Sequence, residues 1–168
     1  NGRNLTLLSI EVDGLHLAAD RYRLDGDQLR IAGLTGQHRV KVTSTCTPYT
    51  NTALEGLYLS GDMLCTQCEP EGFRRICYYP DRPDVMSVFT VLVEADLKYK
   101  QLLSNGNKLE EGPVGAERHF ALWHDPHPKP CYLFALVAGD LALVEDRFTT
   151  ASGRNVTLQI WVEQGLSL

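Results

Sequence analysis

The sequence predicts an all-β fold, a saddle or sandwich of antiparallel sheets, on three observations. Apolar residues recur with the two-residue period of strands, as at Leu5 and Leu7, Val40 and Val42, and Leu57 and Leu59. Runs rich in Val, Leu, Phe and Thr, the side chains that suit a pleated surface, fall at 87–95, 119–123, 132–137 and 155–162. Turn residues separate them at spacings typical of antiparallel sheets packed face to face or curled over.

Taken in chain order, Asp13-Gly14, Asp25-Gly26 and Gly33 punctuate the first quarter. Ser104-Asn105-Gly106-Asn107 has the Asn-Gly pair of a two-residue hairpin. Gly112-Pro113 and Ser152-Gly153 mark further breaks. The segment HDPHPKP, 124–130, is too rich in proline for a central strand and reads as a surface connection. A short helical turn is expected after Tyr79, where Pro80, Asp81 and Pro83 cluster. The expected organisation is one β domain over 1–153, followed by a final strand, 154–168, that leads toward a further domain. The opening NGRNLTL has neither an initiator Met nor a signal segment, which suggests a start inside a larger protein.

Composition narrows the function. With 43% apolar residues and 168 positions the chain can bury a self-sufficient core. Its net charge of −5, without clustered Lys or Arg, speaks against nucleic acid. The longest apolar run, YLFALVAG from Tyr132, falls far short of the roughly 20 residues that span a bilayer, so no membrane partner is expected. Five cysteines form an odd set that fits free thiols in a reducing compartment better than a disulfide scaffold. Glycosylation triplets at Asn4 and Asn155 carry weight only in a secreted protein.

Short motifs give little chemistry. Cys65 and Cys68 have the spacing of a redox dithiol or half a zinc site, but no second ligand pair follows, and Glu69-Pro70-Glu71-Gly72 reads as a turn rather than the helix a thioredoxin-like dithiol needs. His124 and His127 flank Pro126, which breaks the helix on which paired histidine ligands usually sit. Neither a P-loop, a dinucleotide fingerprint, Gly-x-Ser-x-Gly nor His-Glu-x-x-His occurs. No catalytic residue and no metal ligand is assigned.

The unusual stretch is 51–85, NTALEGLYLSGDMLCTQCEPEGFRRICYYPDRPDV, dense in Gly, Pro, acidic and aromatic residues, the composition of a functional loop region. It closely resembles the corresponding part of the bacterial aminopeptidase N family. The resemblance continues through LLSNGN (102–107), PKPCYLFALVAGD (128–140) and FTTASGR (148–154), so it covers nearly the whole chain. It implies the first, saddle-shaped domain of a multidomain zinc exopeptidase, with zinc, the His-Glu-x-x-His motif and the catalytic domain lying further along. The implied partners are peptides with a free amino terminus and the protein's own catalytic domain, and the implied location is cytoplasmic.

The resemblance also maps two substrate-binding residues, Gln67 and Glu69. Glu69 would hold the peptide's α-ammonium through charge-assisted hydrogen bonds, and Gln67 would contact the first residue and shape its pocket. A cis Glu69-Pro70 bond is expected, since proline lowers the cost of that isomer to about 0.5–1 kcal/mol. Arg74, Arg75, Asp81 and Arg82 are expected to hold the loop's shape. The sequence GFRRICYYPDRP departs from the animal form of the family, which makes animal substrate preferences unsafe to transfer. Two other readings stay open from the residues themselves: a freestanding β-sandwich that binds peptides or a protein, and a thiol or zinc protein built on Cys65 and Cys68.

Overall fold

A computed structural model describes residues 1–165, and Leu166–Leu168, the end of the expected strand 154–168, lie outside the described residues. The first strands are β1 (Thr6–Val12), β2 (Leu15–His16), β3 (Tyr22–Asp25), β4 (Gln28–Ile31) and β5 (Val40–Thr45). Next come β6 (Gly56–Ser60), β7 (Met63–Gln67), β8 (Ser87–Asp96), β9 (Gln101–Ser104) and β10 (Asn107–Val114). The last are β11 (Arg118–Lys129), β12 (Leu136–Gly139), β13 (Leu141–Thr149) and β14 (Asn155–Glu163). Every pairing among them is antiparallel, as the alternating pattern predicts. Among the described residues, no helix is long and apolar enough to cross a membrane.

The core lies between two sheets, one ordered β6-β7-β12-β9 and the other β10-β11-β8. Along β8 the odd positions Phe89, Val91, Val93 and Ala95 turn inward while Val88, Thr90, Leu92 and Glu94 stay exposed. Val93 and Ala121 meet Leu102 and Ala138 of the facing sheet, with Tyr99 completing the buried group. Trp123 packs at its margin and donates Nε1–H to the Leu102 carbonyl at 2.9 Å, so the indole gains burial without stranding its donor. A second cluster of Cys68, Phe73, Cys131 and Phe134 is centred on Phe73, whose ring meets those of Tyr79, Phe89 and Phe134 edge-on at 5.1, 5.9 and 5.1 Å.

Several local expectations are corrected. Asn105-Gly106 is not a hairpin turn, because β9 pairs with β12 whereas β10 pairs with β11. It is a corner where the chain changes sheets. Asn105 pins it by donating Nδ2–H to the Leu133 carbonyl and accepting the Ala135 amide at 2.7 Å. Gly106 has φ +85, and a Cβ there would stand 2.2 Å from the His124 carbonyl oxygen.

The proline-rich 124–130 segment extends β11 to Lys129 instead of forming a surface connection. Pairing with β10 ends at Asn107↔His124, and the β8 register slips between Asp125 and Lys129. Pro126 and Pro128 therefore sit where one edge is free and the other bulged, and their missing N–H groups cost the ladder nothing. Gly112-Pro113 lies inside β10, an edge strand, and the turn comes later at Gly115.

The run 132–137 is strand only from Leu136, since Cys131–Leu133 forms a 3₁₀ turn that buries Cys131 and leads Phe134 into the core. The helical turn expected after Tyr79 occurs earlier, as a 3₁₀ turn over Phe73–Arg75 that sinks Phe73. In 51–85, the first half is not loop but the β6–β7 hairpin.

Candidate functional site

At the end of β7, Gln67 is still paired with Gly56 of β6. The next residue, Cys68, is 3% exposed and roots the chain in the Phe73 cluster. Glu69 and Pro70 then stand out in solvent, joined by a cis peptide bond as the sequence predicts. The chain returns at Gly72, whose amide donates to the Cys68 carbonyl at 2.8 Å. The result is a narrow projection with Glu69 at its exposed end.

Close backbone approaches fix that projection. A Cβ at Gly72 would lie 2.2 Å from the Gln67 carbonyl oxygen and 3.0 Å from the Gly56 nitrogen. Gly56 has φ +73, and a Cβ there would lie 2.6 Å from that of Arg75. The two glycines let the hairpin end and the returning loop interlock.

The loop's charged residues divide as burial dictates. Arg74 and Asp81 are 8% and 4% exposed. Arg74 donates its amide and Nε–H to Asp81 Oδ2 at 3.0 and 2.9 Å, and Nη2–H to the Asp81 carbonyl at 2.9 Å. Arg74 Nη1 lies 3.1 Å from Glu71 Oε2, and Cys131 donates its thiol to Asp81 Oδ1 at 2.9 Å. Burial pushes the Asp81 carboxyl up, but the bonds from Cys131 and Arg74 together outweigh it and hold it below the ordinary carboxylate range. Arg75 pairs with Glu55 at 2.9 Å, bracing the loop against β6. Among the described residues, Arg82 pairs only with its exposed neighbour Asp84.

Gln67 is exposed and donates Nε2–H to the Glu69 carbonyl at 3.2 Å. Among the described residues the Glu69 carboxylate is engaged by no hydrogen bond or ion pair, so its lone pairs are available to a cation. The two predicted site residues are thus brought together on one projection.

The remaining motifs are placed elsewhere. Burial, aided by Asp81 and Cys77, pushes the Cys68 thiol up to about 12, and burial with the Asp81 bond does the same for Cys131. Such thiols are neutral at physiological pH, so Cys68 lacks the thiolate a redox dithiol needs. His124 bonds Thr90 across β8 and β11 at 2.9 Å. A groove of about 650 Å³ lined by Tyr49, Asp62, Lys98, Tyr99 and Asp140 lies at the opposite end of the β6–β7 hairpin from Glu69. Among the described residues, no three His, Cys, Asp or Glu side chains converge as a metal site, so they do not fit a zinc ion.

Sequence reasoning passed over Glu55, Gly56 and Cys131, and took Gly72 only as part of a turn. Glu55-Gly56, directly before an alternating run, was the visible signal for the first two. For Cys131, 50 residues from Asp81, the sequence holds no signal.

These features define an antiparallel β domain that offers a solvent-facing carboxylate from an ion-clamped loop. The description Peptidase M1 N-terminal domain matches residues 28–133. The chain is 52% identical over 165 residues to aminopeptidase N of Caulobacter vibrioides and 49% identical over 166 to that of Escherichia coli. Each match covers 98% of this chain and 19% of the relative, so the chain spans about a fifth of the length of these relatives. Aminopeptidase A of Legionella pneumophila, solved in complex with aspartic acid, is 35% identical with a TM-score of 0.93, over 97% of this chain and 19% of that one. An M1 zinc metallopeptidase of Deinococcus radiodurans shares the fold, with a TM-score of 0.76 at 16% identity, over 99% of this chain and 39% of that one. The chain belongs to the M1 peptidase family, as its amino-terminal domain.

Proposed function

We propose that this chain is the non-catalytic, substrate-edge domain of a zinc aminopeptidase, and that Glu69 receives the α-ammonium of the peptide. The observation that carries the reading is an exposed, unengaged carboxylate on a projection whose base is buried and ion-paired. An ammonium group offers that carboxylate charge-assisted hydrogen bonds, each worth about 1.5–3 kcal/mol net. An internal peptide nitrogen offers no such cation, so capture at Glu69 favours removal of one residue at a time from the amino end. Gln67 keeps Oε1 for the substrate's first residue while its Nε2 steadies Glu69.

Zinc and the bond-breaking residues belong, on this reading, to the part of the relatives that this chain does not cover. The β domain comprises 1–153, and the segment from 154, which carries β14 (Asn155–Glu163), leads toward the catalytic domain. Peptides and that domain are the partners, and the cytoplasm is the setting.

The test is hydrolysis of an aminoacyl-arylamide by the complete polypeptide. Glu69→Gln is expected to lower kcat/KM by roughly 10- to 150-fold, the equivalent of one lost charge-assisted bond. Undiminished hydrolysis by a folded Glu69→Gln protein, or turnover by the 168-residue chain alone, overturns the reading.

A further inference from the structure

We propose that Arg74, Asp81 and Cys131 are positioning residues for Glu69, acting through the loop backbone rather than by touching a peptide. The inference rests on Glu69 being the ammonium acceptor. One guanidinium ties both ends of the segment: Nη1 reaches back to Glu71, two residues past Glu69, while Nε and Nη2 reach forward to Asp81. Asp81 is anchored in turn by the Cys131 thiol, which belongs to the 3₁₀ turn between β11 and β12. The segment that follows Glu69 is therefore tied through a chain of directional bonds to the turn between β11 and β12. On its other side Glu69 is held by the Gln67 side chain and by the Gly72–Cys68 bond.

The chemistry of the clamp favours a geometric role. A buried ion pair is often no more stabilising than apolar residues of the same volume, because both charges must leave water. Yet it fixes angles that apolar packing leaves free: the Asp81 carboxylate accepts from Arg74 N, Arg74 Nε and Cys131 Sγ at 3.0, 2.9 and 2.9 Å. A carboxylate meant to meet a small ammonium needs its position set to a fraction of an ångström. Arg74 and Asp81 are buried, and Cys131 lies in the Phe73 cluster, a low-dielectric setting that keeps those bonds strong.

Arg74→Lys and Cys131→Ala in the complete polypeptide test this, with kcat and KM measured on a free-amine aminoacyl-arylamide, alone and combined with Glu69→Gln. Each single change is expected to raise KM about 5-fold or more with kcat nearly kept. Cys131→Ser, which restores a donor to Asp81, is expected to recover most of the loss. In the Glu69→Gln background both changes are expected to cost less than 2-fold. Equal losses with and without Glu69 would make the clamp mere scaffold and overturn the inference. No loss in a folded Arg74→Lys and Cys131→Ala protein overturns it as well. A silent Glu69→Gln change instead brings down the ammonium reading itself, and the positioning role with it. Should Arg74→Lys fail to fold, Cys131→Ala and Cys131→Ser carry the decision, read also by hydrogen exchange at the Gly72 amide. Faster exchange is expected in the alanine variant alone, and equal exchange in all three proteins counts against the role.

Discussion

The loop from Cys68 to Asp81 and the β13–β14 ribbon both depart from the packed sheets, but opposite forces hold them. The loop buries its central charges: Arg74 and Asp81 meet below the surface, Phe73 is buried beside them, and Glu69, Pro70, Glu71 and Pro80 are its exposed positions. The ribbon pairs without a break from Leu141↔Glu163 to Thr149↔Asn155, and among the described residues neither of its strands joins a third. One of its faces leaves Phe148, Leu158 and Ile160 at 55%, 46% and 55% exposure. A backbone ladder sets the ribbon's register and little else. Directional bonds between buried side chains set the loop's position in space.

That contrast can be broken by mutation. The largest effect is expected from Asp81→Ala, which strands a buried guanidinium and should destabilise the chain by about 3–5 kcal/mol in denaturant unfolding. Next, Gly72→Ala drives a methyl against the Gln67 carbonyl and should cost about 1–3 kcal/mol, since backbone rather than a flexible side chain must yield. In the ribbon, Ile160→Thr should change stability by no more than about 0.5 kcal/mol, because the side chain is already exposed. A ribbon substitution as costly as the loop's would erase the distinction drawn here.

The same contrast has a pH signature. Asp81 is held below its ordinary pKa when folded, so its contribution is present above the unfolded carboxyl value near 4 and is lost as pH falls through the lower folded value. Asp81→Asn should flatten the acid limb of a stability-against-pH curve in that window. A smaller effect of opposite sign is expected at His38, whose hydrogen bond to Asp13 raises its pKa. That contribution is complete below about pH 6.5 and fades as pH rises through the raised value. Histidine chemical shifts across pH 5–9, with and without Asp13→Asn, would show it.

Much of this was legible in the sequence. Strand alternation at Leu57 and Leu59 and through 87–95 corresponds to β6 and β8. A resemblance spread over several long blocks singled out Glu69 and Gln67, which a hydrogen bond joins, and the cis bond before Pro70. What failed was partner choice. Asn105-Gly106 announces a tight turn, but whether the flanking strands pair with each other is decided by contacts far away, here Leu102↔Ala138 and Lys108↔Trp123. Pro126 and Pro128 likewise looked incompatible with a strand because the free edge and the bulge that admit them are tertiary facts. The Asp81–Cys131 bond belongs to the same class, since a thiol donor 50 residues away leaves no local trace.

The most direct measurement compares an aminoacyl-arylamide with its analogue lacking the α-amino group, using the complete polypeptide with and without Glu69→Gln. If Glu69 receives the ammonium, the native protein prefers the amine in kcat/KM, and the substitution shrinks that preference by about tenfold or more with little effect on the amine-free compound. An unchanged preference in a folded Glu69→Gln protein would place amine recognition elsewhere.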